Sequence, residues 1–175
     1  MEYKGKTFEA IIATPGCGKS YLTDKYPSKF ADMDEIRLFT KYDIPKSISR
    51  EELERTKGER PFPKRKYTTE DIYKKYDACL KEGKTLIAAP HPESFAYFES
   101  RNIKFCFIYP DQNAKEELKQ RFKARNNPDS FINENDKKFE DYLISNRNDK
   151  KAIIHYEFSK DEYLEHIIKK FGLDF

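Results

Sequence analysis

The sequence predicts an α/β fold of the three-layer α/β/α kind, with a mostly parallel five-stranded sheet and a helical lid or insertion. Three observations carry that expectation. Short apolar runs recur along the chain, and segments of helical period separate them. A glycine-bearing loop ending in Lys-Ser stands between the first apolar run and the first helical segment. The 175 residues suit one compact domain spanning 1–175, with no internal repeat, low-complexity tract or dividing linker.

In chain order, Phe8 to Ala13 reads as a buried strand, and a helical segment then runs as far as Tyr26. Lys29 to Asp34 reads as a second strand ending in acids, followed by a short helix over Glu35 to Tyr42. Residues 44–68 mix Pro45, Gly58, Pro61 and Pro63 with many charges, which predicts a mobile insertion. Within it Ser49 precedes Glu52 in a capping-box pattern, so a helix is expected over Ser49 to Arg55. Ile72, Tyr76 and Leu80 share one face of a longer helix, Thr69 to Lys81, closed by Gly83. Lys84 to Ala89 is the third strand, bounded by Pro90. Ile103 to Tyr109 is a continuous apolar run that suits a strand buried on both faces. Leu118 and Phe122 point inward from a helix over Ala114 to Asn126, and a polar loop follows. Phe139, Leu143 and Ile144 mark another helix, Ala152 to Phe158 the fifth strand, and Glu162 to Phe171 a closing helix stopped by Gly172.

Composition narrows the class. Hydrophobic residues make up only 37%, but 14 Phe and 12 Tyr supply apolar bulk for a core. The 34 Lys and Arg against 31 Asp and Glu leave a net charge of +3, too small to argue for nucleic acid by itself. Cys17, Cys79 and Cys106 are dispersed without a CxxC pair, so neither a disulfide framework nor a zinc site is expected. No signal peptide or long apolar span is visible, which predicts a cytoplasmic protein without a membrane partner.

The loop Thr14-Pro15-Gly16-Cys17-Gly18-Lys19-Ser20 carries the chemistry. Strand, glycine-bearing loop, Lys-Ser and helix is the layout of a phosphate-binding P-loop. Gly16 and Gly18 let the backbone curl so that successive N–H groups point inward. In such a loop Lys19 reaches the β- and γ-phosphates of a nucleotide and the Ser20 hydroxyl ligates Mg²⁺. The full pattern has glycine where Ala13 stands, but the anion nest is made by the later residues. ATP or a similar nucleotide and Mg²⁺ are therefore the expected cofactors.

Asp32 and Asp34 close the second strand, at the sheet edge where ligands collect in open α/β folds. They fall on one side if the strand persists through both. With the loop, this D-x-D-x-x-R segment resembles the P-loop kinases of small substrates. It is most similar to the 5′-kinase module of phage-type polynucleotide kinases, with shikimate, gluconate and nucleoside monophosphate kinases as wider relatives. The resemblance implies Asp34 as general base, Arg37 as an acceptor-holding group, and Asp32 as an organiser of Mg²⁺ and substrate. It also implies that Arg121 and Arg125, four apart on a helix, close over the transferred phosphate from a lid at 121–138. The implied partners are a nucleotide donor and a small-molecule, nucleotide or nucleic-acid-end acceptor, with residues 44–68 on the acceptor side.

The sequence departs from these kinases at Ala88-Ala89-Pro90, where many P-loop enzymes place an acid, and it lacks the Asp-Gly-(Phe/Tyr)-Pro-Arg signature of adenylate-type kinases. Two other readings stay open, a monophosphate kinase and a nucleotide-hydrolysing switch. His91 and Glu93 either contact the acceptor or stabilise the turn between two prolines. The basic run Lys57 to Lys66, with Phe62 and Tyr67, is either a grip on a nucleic-acid or nucleotide phosphate or a solvated stretch. Cys17, beside Lys19, is either a reactive thiol or a filler of the helix–sheet contact.

Overall fold

The computed structural model describes residues 1–172. A short hairpin comes first, β1 (Glu2–Tyr3) and β2 (Lys6–Thr7), joined through Lys4 and Gly5, both at positive φ. That turn geometry suits a two-residue hairpin, but Lys-Gly is a weak signal and the sequence reading did not include it.

The main sheet has five strands, all parallel: β3 (Ala10–Ala13), β4 (Phe30–Asp32), β5 (Thr85–Ala88), β6 (Phe105–Pro110) and β7 (Ile154–Phe158). Their order is β4-β5-β3-β6-β7. Every residue of β3 and β6 is buried, as expected of central parallel strands covered on both faces. From β3 the chain turns toward β4, and from β6 it turns the opposite way toward β7. The carboxyl ends of those two neighbours therefore flank a topological switch point, where such sheets open a crevice.

The helices are α1 (Lys19–Lys25), α2 (Met33–Lys41), α3 (Arg50–Arg55), α4 (Thr69–Lys81), α5 (Pro92–Ser100), α6 (Lys115–Ala124), α7 (Asp129–Lys137), α8 (Phe139–Arg147) and α9 (Leu164–Lys170). With crossovers of the usual right hand, this strand order places the β3-to-β4 connection and the later connections on opposite faces of the sheet. Glu165 of α9 joins α1 by accepting from Lys25 Nζ and Tyr26 Oη, each at 2.9 Å. On the opposite side Tyr97 of α5 packs edge-on against Tyr73 and Tyr76 of α4, and Tyr76 Oη donates to the Met33 carbonyl of α2. Phe95 of α5 lies against Phe105 and Phe107 of β6.

The second strand departs from expectation, ending at Asp32 rather than Asp34. Asp32 Oδ1 accepts from the N–H groups of Asp34 and Glu35, so the carboxylate caps α2 and turns the chain out of the sheet. The two acids do not alternate along a strand. Helices α5 and α7 occupy stretches the sequence left without an element.

The 44–68 segment is tied down on two sides. Arg50 of α3 pairs with Asp24 and Glu35, and Asn127 Nδ2 donates to Glu54 Oε2 at 2.9 Å. Most of the basic run is engaged within the protein: Lys57 pairs with Glu54, Arg60 donates to the Leu53 carbonyl, and Arg65 pairs with Asp43. No helix among the described residues is long and apolar enough to cross a membrane.

Candidate functional site

The loop between β3 and α1 is shaped by close approach. Gly16 and Gly18 have φ of +86° and +99°, conformations that disfavour side chains. A Cβ at Gly16 would stand 2.7 Å from Leu118 Cδ2, so α6 lies against the loop only because that position has no side chain. Among the described residues, the N–H groups of Gly16, Cys17, Gly18 and Ser20 have no backbone or side-chain acceptor. A cluster of unmatched amides along one curl can hold an anion. Lys19 Nζ meanwhile rests on the loop's own carbonyls, donating to Ala13 at 3.0 Å and Thr14 at 3.4 Å.

Asp32 and Asp34 follow β4, which is separated from β3 in the sheet by β5. Burial and the neighbouring Asp34 raise the Asp32 carboxyl to about 6, against a smaller lowering influence from Lys19. Lys19, Asp32 and Asp34 thus interact electrostatically. Asp34 is held from two sides, Oδ1 accepting from Arg37 Nη2 at 2.9 Å and Oδ2 from the Ala89 N–H at 2.8 Å. Arg37 also lies 3.7 Å from Glu93, and its Nη1 is buried without a hydrogen-bond partner among the described residues. His91 caps α5, its Nδ1 accepting from the Glu93 N–H, while burial and Arg37 push its pKa down. Glu93 turns toward Lys41, accepting at 2.8 Å.

The arginine pair is divided. Arg121 is buried, not poised over the loop. Its Nη1 donates to the carbonyls of Gly16 and Glu162, its Nε to Glu117 at 2.8 Å, and its guanidinium carbon sits 3.9 Å from the centre of the Tyr163 ring. This is a brace beneath the loop, and it leaves Arg121 unable to close over a transferred group without breaking those contacts. Arg125, one turn on, is half-buried with no side-chain hydrogen bond or ion pair among the described residues. It lines a cleft of about 620 Å³ with Ser20, Tyr21, Asp24 and Arg50. Tyr163, Glu117 and Glu162 were missing from the sequence reading. Only Glu117 had a signal there, as the residue one helical turn before Arg121.

The reactive reading of Cys17 fails. The thiol is fully buried, and burial raises its pKa despite the charges of Lys19, Arg125 and Arg121. A larger cavity, about 800 Å³, meets the loop only at Thr14 and Pro15 and extends under α5 to α8.

No family model and no curated protein matches the chain. Among solved structures, that of an uncharacterized protein from Eubacterium ventriosum aligns with 94% of this chain and 98% of its own, at 16% identity and a TM-score of 0.44.

Two outcomes follow from burial. In the native chain a soluble disulfide reagent should label Cys79, which is partly exposed, ahead of Cys17 and Cys106. Labelling of Cys17 first would contradict the burial described. Asp32→Asn keeps the Oδ1 acceptor that caps α2 but removes a charge that burial disfavours. Because the folded-state pKa is raised, the wild-type chain loses stability as pH rises through about 6. Thermal unfolding of the variant should show a flatter pH dependence and a higher midpoint at pH 8, by about 2–4 °C for each kcal/mol relieved. A lower midpoint at pH 8 would mean that the carboxylate is stabilised by its neighbours.

Proposed function

We propose that the chain is an ATP- and Mg²⁺-dependent phosphotransferase that moves the γ-phosphoryl group to a hydroxyl. The observation that carries this reading is the set of loop amides without protein acceptors, next to Lys19 and within electrostatic reach of Asp32. Four unmatched amides in one loop, with the Lys19 ammonium on the same loop, suit the charge of a polyphosphate. On this reading residues 14–20 act as a P-loop.

The donor set fits Mg²⁺. Asp32 is a buried carboxylate with one oxygen on the helix cap, and its raised pKa marks negative charge that a cation would relieve. Ser20 opens onto the adjoining cleft, and Mg²⁺ takes only one or two protein oxygens beside phosphates and water. Asp32 and Ser20 would hold such an ion, which would supply charge neutralisation for a bound polyphosphate.

The remaining steps belong to the chain. Lys19 leaves the carbonyls of Ala13 and Thr14 for the phosphate oxygens, exchanging weak acceptors for charged ones. Asp34, aimed by Arg37 and the Ala89 N–H, takes the proton of the acceptor hydroxyl. The acceptor oxygen forms its bond to the γ-phosphorus as the bridging bond to the β-phosphate breaks, and the nucleoside diphosphate leaves with that electron pair. Arg125 is the arginine free to meet the developing charge.

A hydroxyl acceptor is favoured over a monophosphate because Arg37 is matched by Asp34 and Glu93, and Lys41 by Glu93.

Phosphate transfer from labelled ATP, run with nucleosides, monophosphates, 5′-hydroxyl oligonucleotides and polyols, tests the reading together with two variants. Asp34→Asn should lower turnover by about 10²–10⁴-fold with little change in ATP affinity, while Lys19→Ala should lose ATP binding and remain folded. Transfer to no acceptor, or a Lys19→Ala chain with full turnover, would refute it.

A further inference from the structure

The cavity of about 800 Å³ under α5 to α8 has no part in holding the donor phosphates. Its size is that of a small-molecule site. Phe95, Phe107, Phe122 and Phe139 line it, with Pro15 and Pro90 closing the end against the sheet. Thr14 and Ala89 form that inner end, and both lead to the reacting groups. The Ala89 N–H donates to Asp34, and the Thr14 carbonyl accepts from Lys19. Through Ala89 and Thr14 the cavity wall is thus joined to the base and the loop lysine, neither of which lines it.

The walls also carry unmet polar groups. Thr14 Oγ1 is buried with no partner among the described residues. Asn146, 6% exposed, lines the cavity and makes no side-chain hydrogen bond among the described residues. A purely apolar occupant would leave both unsatisfied, which costs more than an apolar wall would. Charge, by contrast, is balanced at the rim: Lys115 pairs with Glu140, Lys119 with Asp136 and Lys151 with Glu99. Among the described residues Lys150 is the one lysine of this lining that is exposed and unpaired. A nucleic-acid end would trail phosphates through a mouth whose lysines are mostly matched already.

We propose that this cavity binds the phosphoryl acceptor as a free, uncharged nucleoside: a planar heteroaromatic ring among the phenylalanines, its polar edge on Asn146, and its hydroxyl end at Thr14 and Ala89, the wall that carries the Asp34 contact. This rests on the phosphotransferase reading and names its substrate class. Aromatic walls favour a flat ring, and the two open polar groups favour one with hydrogen-bonding edges.

The test is calorimetric titration of the intact chain with adenosine, guanosine, cytidine and thymidine, each without ATP, beside sorbitol and a 5′-hydroxyl oligonucleotide. At least one nucleoside should bind, sorbitol should not, and the oligonucleotide should bind more weakly. Asn146→Leu should weaken the nucleoside about tenfold, the worth of a lost buried hydrogen bond, with ATP affinity unchanged. If that variant folds poorly, nucleoside-dependent shifts of the Leu118, Ile132 and Leu143 methyl resonances in the wild-type chain report the same occupancy. No nucleoside binding in a chain that binds ATP would overturn this inference and leave the phosphotransferase reading standing. Tighter binding of the oligonucleotide, or an Asn146→Leu chain of unchanged affinity, would overturn it too. Failure to bind ATP would remove the reading beneath it.

Discussion

A single buried guanidinium holds three parts of this protein in register. Arg121 reaches from α6 to the Gly16 carbonyl in the loop and to the Glu162 carbonyl before α9, stacks on Tyr163 and pairs with Glu117. A buried cation is costly unless its donors are met, so these contacts stand or fall together. The loop needs such support because two left-handed glycines give it little conformational preference of its own. The same approach of α6 explains Gly16, where a side chain would collide with Leu118. The Leu164 N–H completes the brace by donating to the Cys17 carbonyl at 2.8 Å. Carbonyls on the braced side are thereby occupied while the amides stay available, the polarity an anion site requires.

Around that loop the charges form a closed set. Lys19 rests on carbonyls, Arg37 on Asp34, and Lys41 on Glu93. Asp32 and Arg125 are the exceptions: burial and Asp34 hold the Asp32 carboxyl near 6, and Arg125 has no side-chain ion pair among the described residues. A polyphosphate with its cation would release Lys19 from its self-made contacts and offset the Asp32 charge. Binding would thus exchange weak internal partners for strong external ones, which is how a preorganised site limits reorganisation.

The sheet was largely legible in the sequence because buried parallel strands are unbroken apolar runs, and Ile103 to Tyr109 contains most of β6. Asp34 was harder. It reads as a strand residue by alternation with Asp32, yet Asp32 followed three residues later by Glu35 is also a helix-start pattern, and beyond Asp32 the helix prevailed. Helix α5 had its own signal in Pro92 at the first turn. Arg121 and Arg125 share the same spacing argument, but their different burial comes from Tyr163 and Glu162, some forty residues away in sequence. Nothing local to α6 distinguishes a brace from a lid. Cys17 shows the same limit: neighbouring cations argue for a thiolate, and only the fold reveals that burial outweighs them.

The central claim is that the amides of residues 16–20 receive a polyphosphate. Backbone ¹⁵N–¹H resonances of Gly16, Cys17, Gly18 and Ser20 test it directly in titrations with Mg·ATP, inorganic triphosphate and adenosine. The account predicts downfield amide shifts at these positions with ATP and with triphosphate, and none of that pattern with adenosine alone. Unmoved loop amides at saturating Mg·ATP, or equal shifts with adenosine, would contradict it.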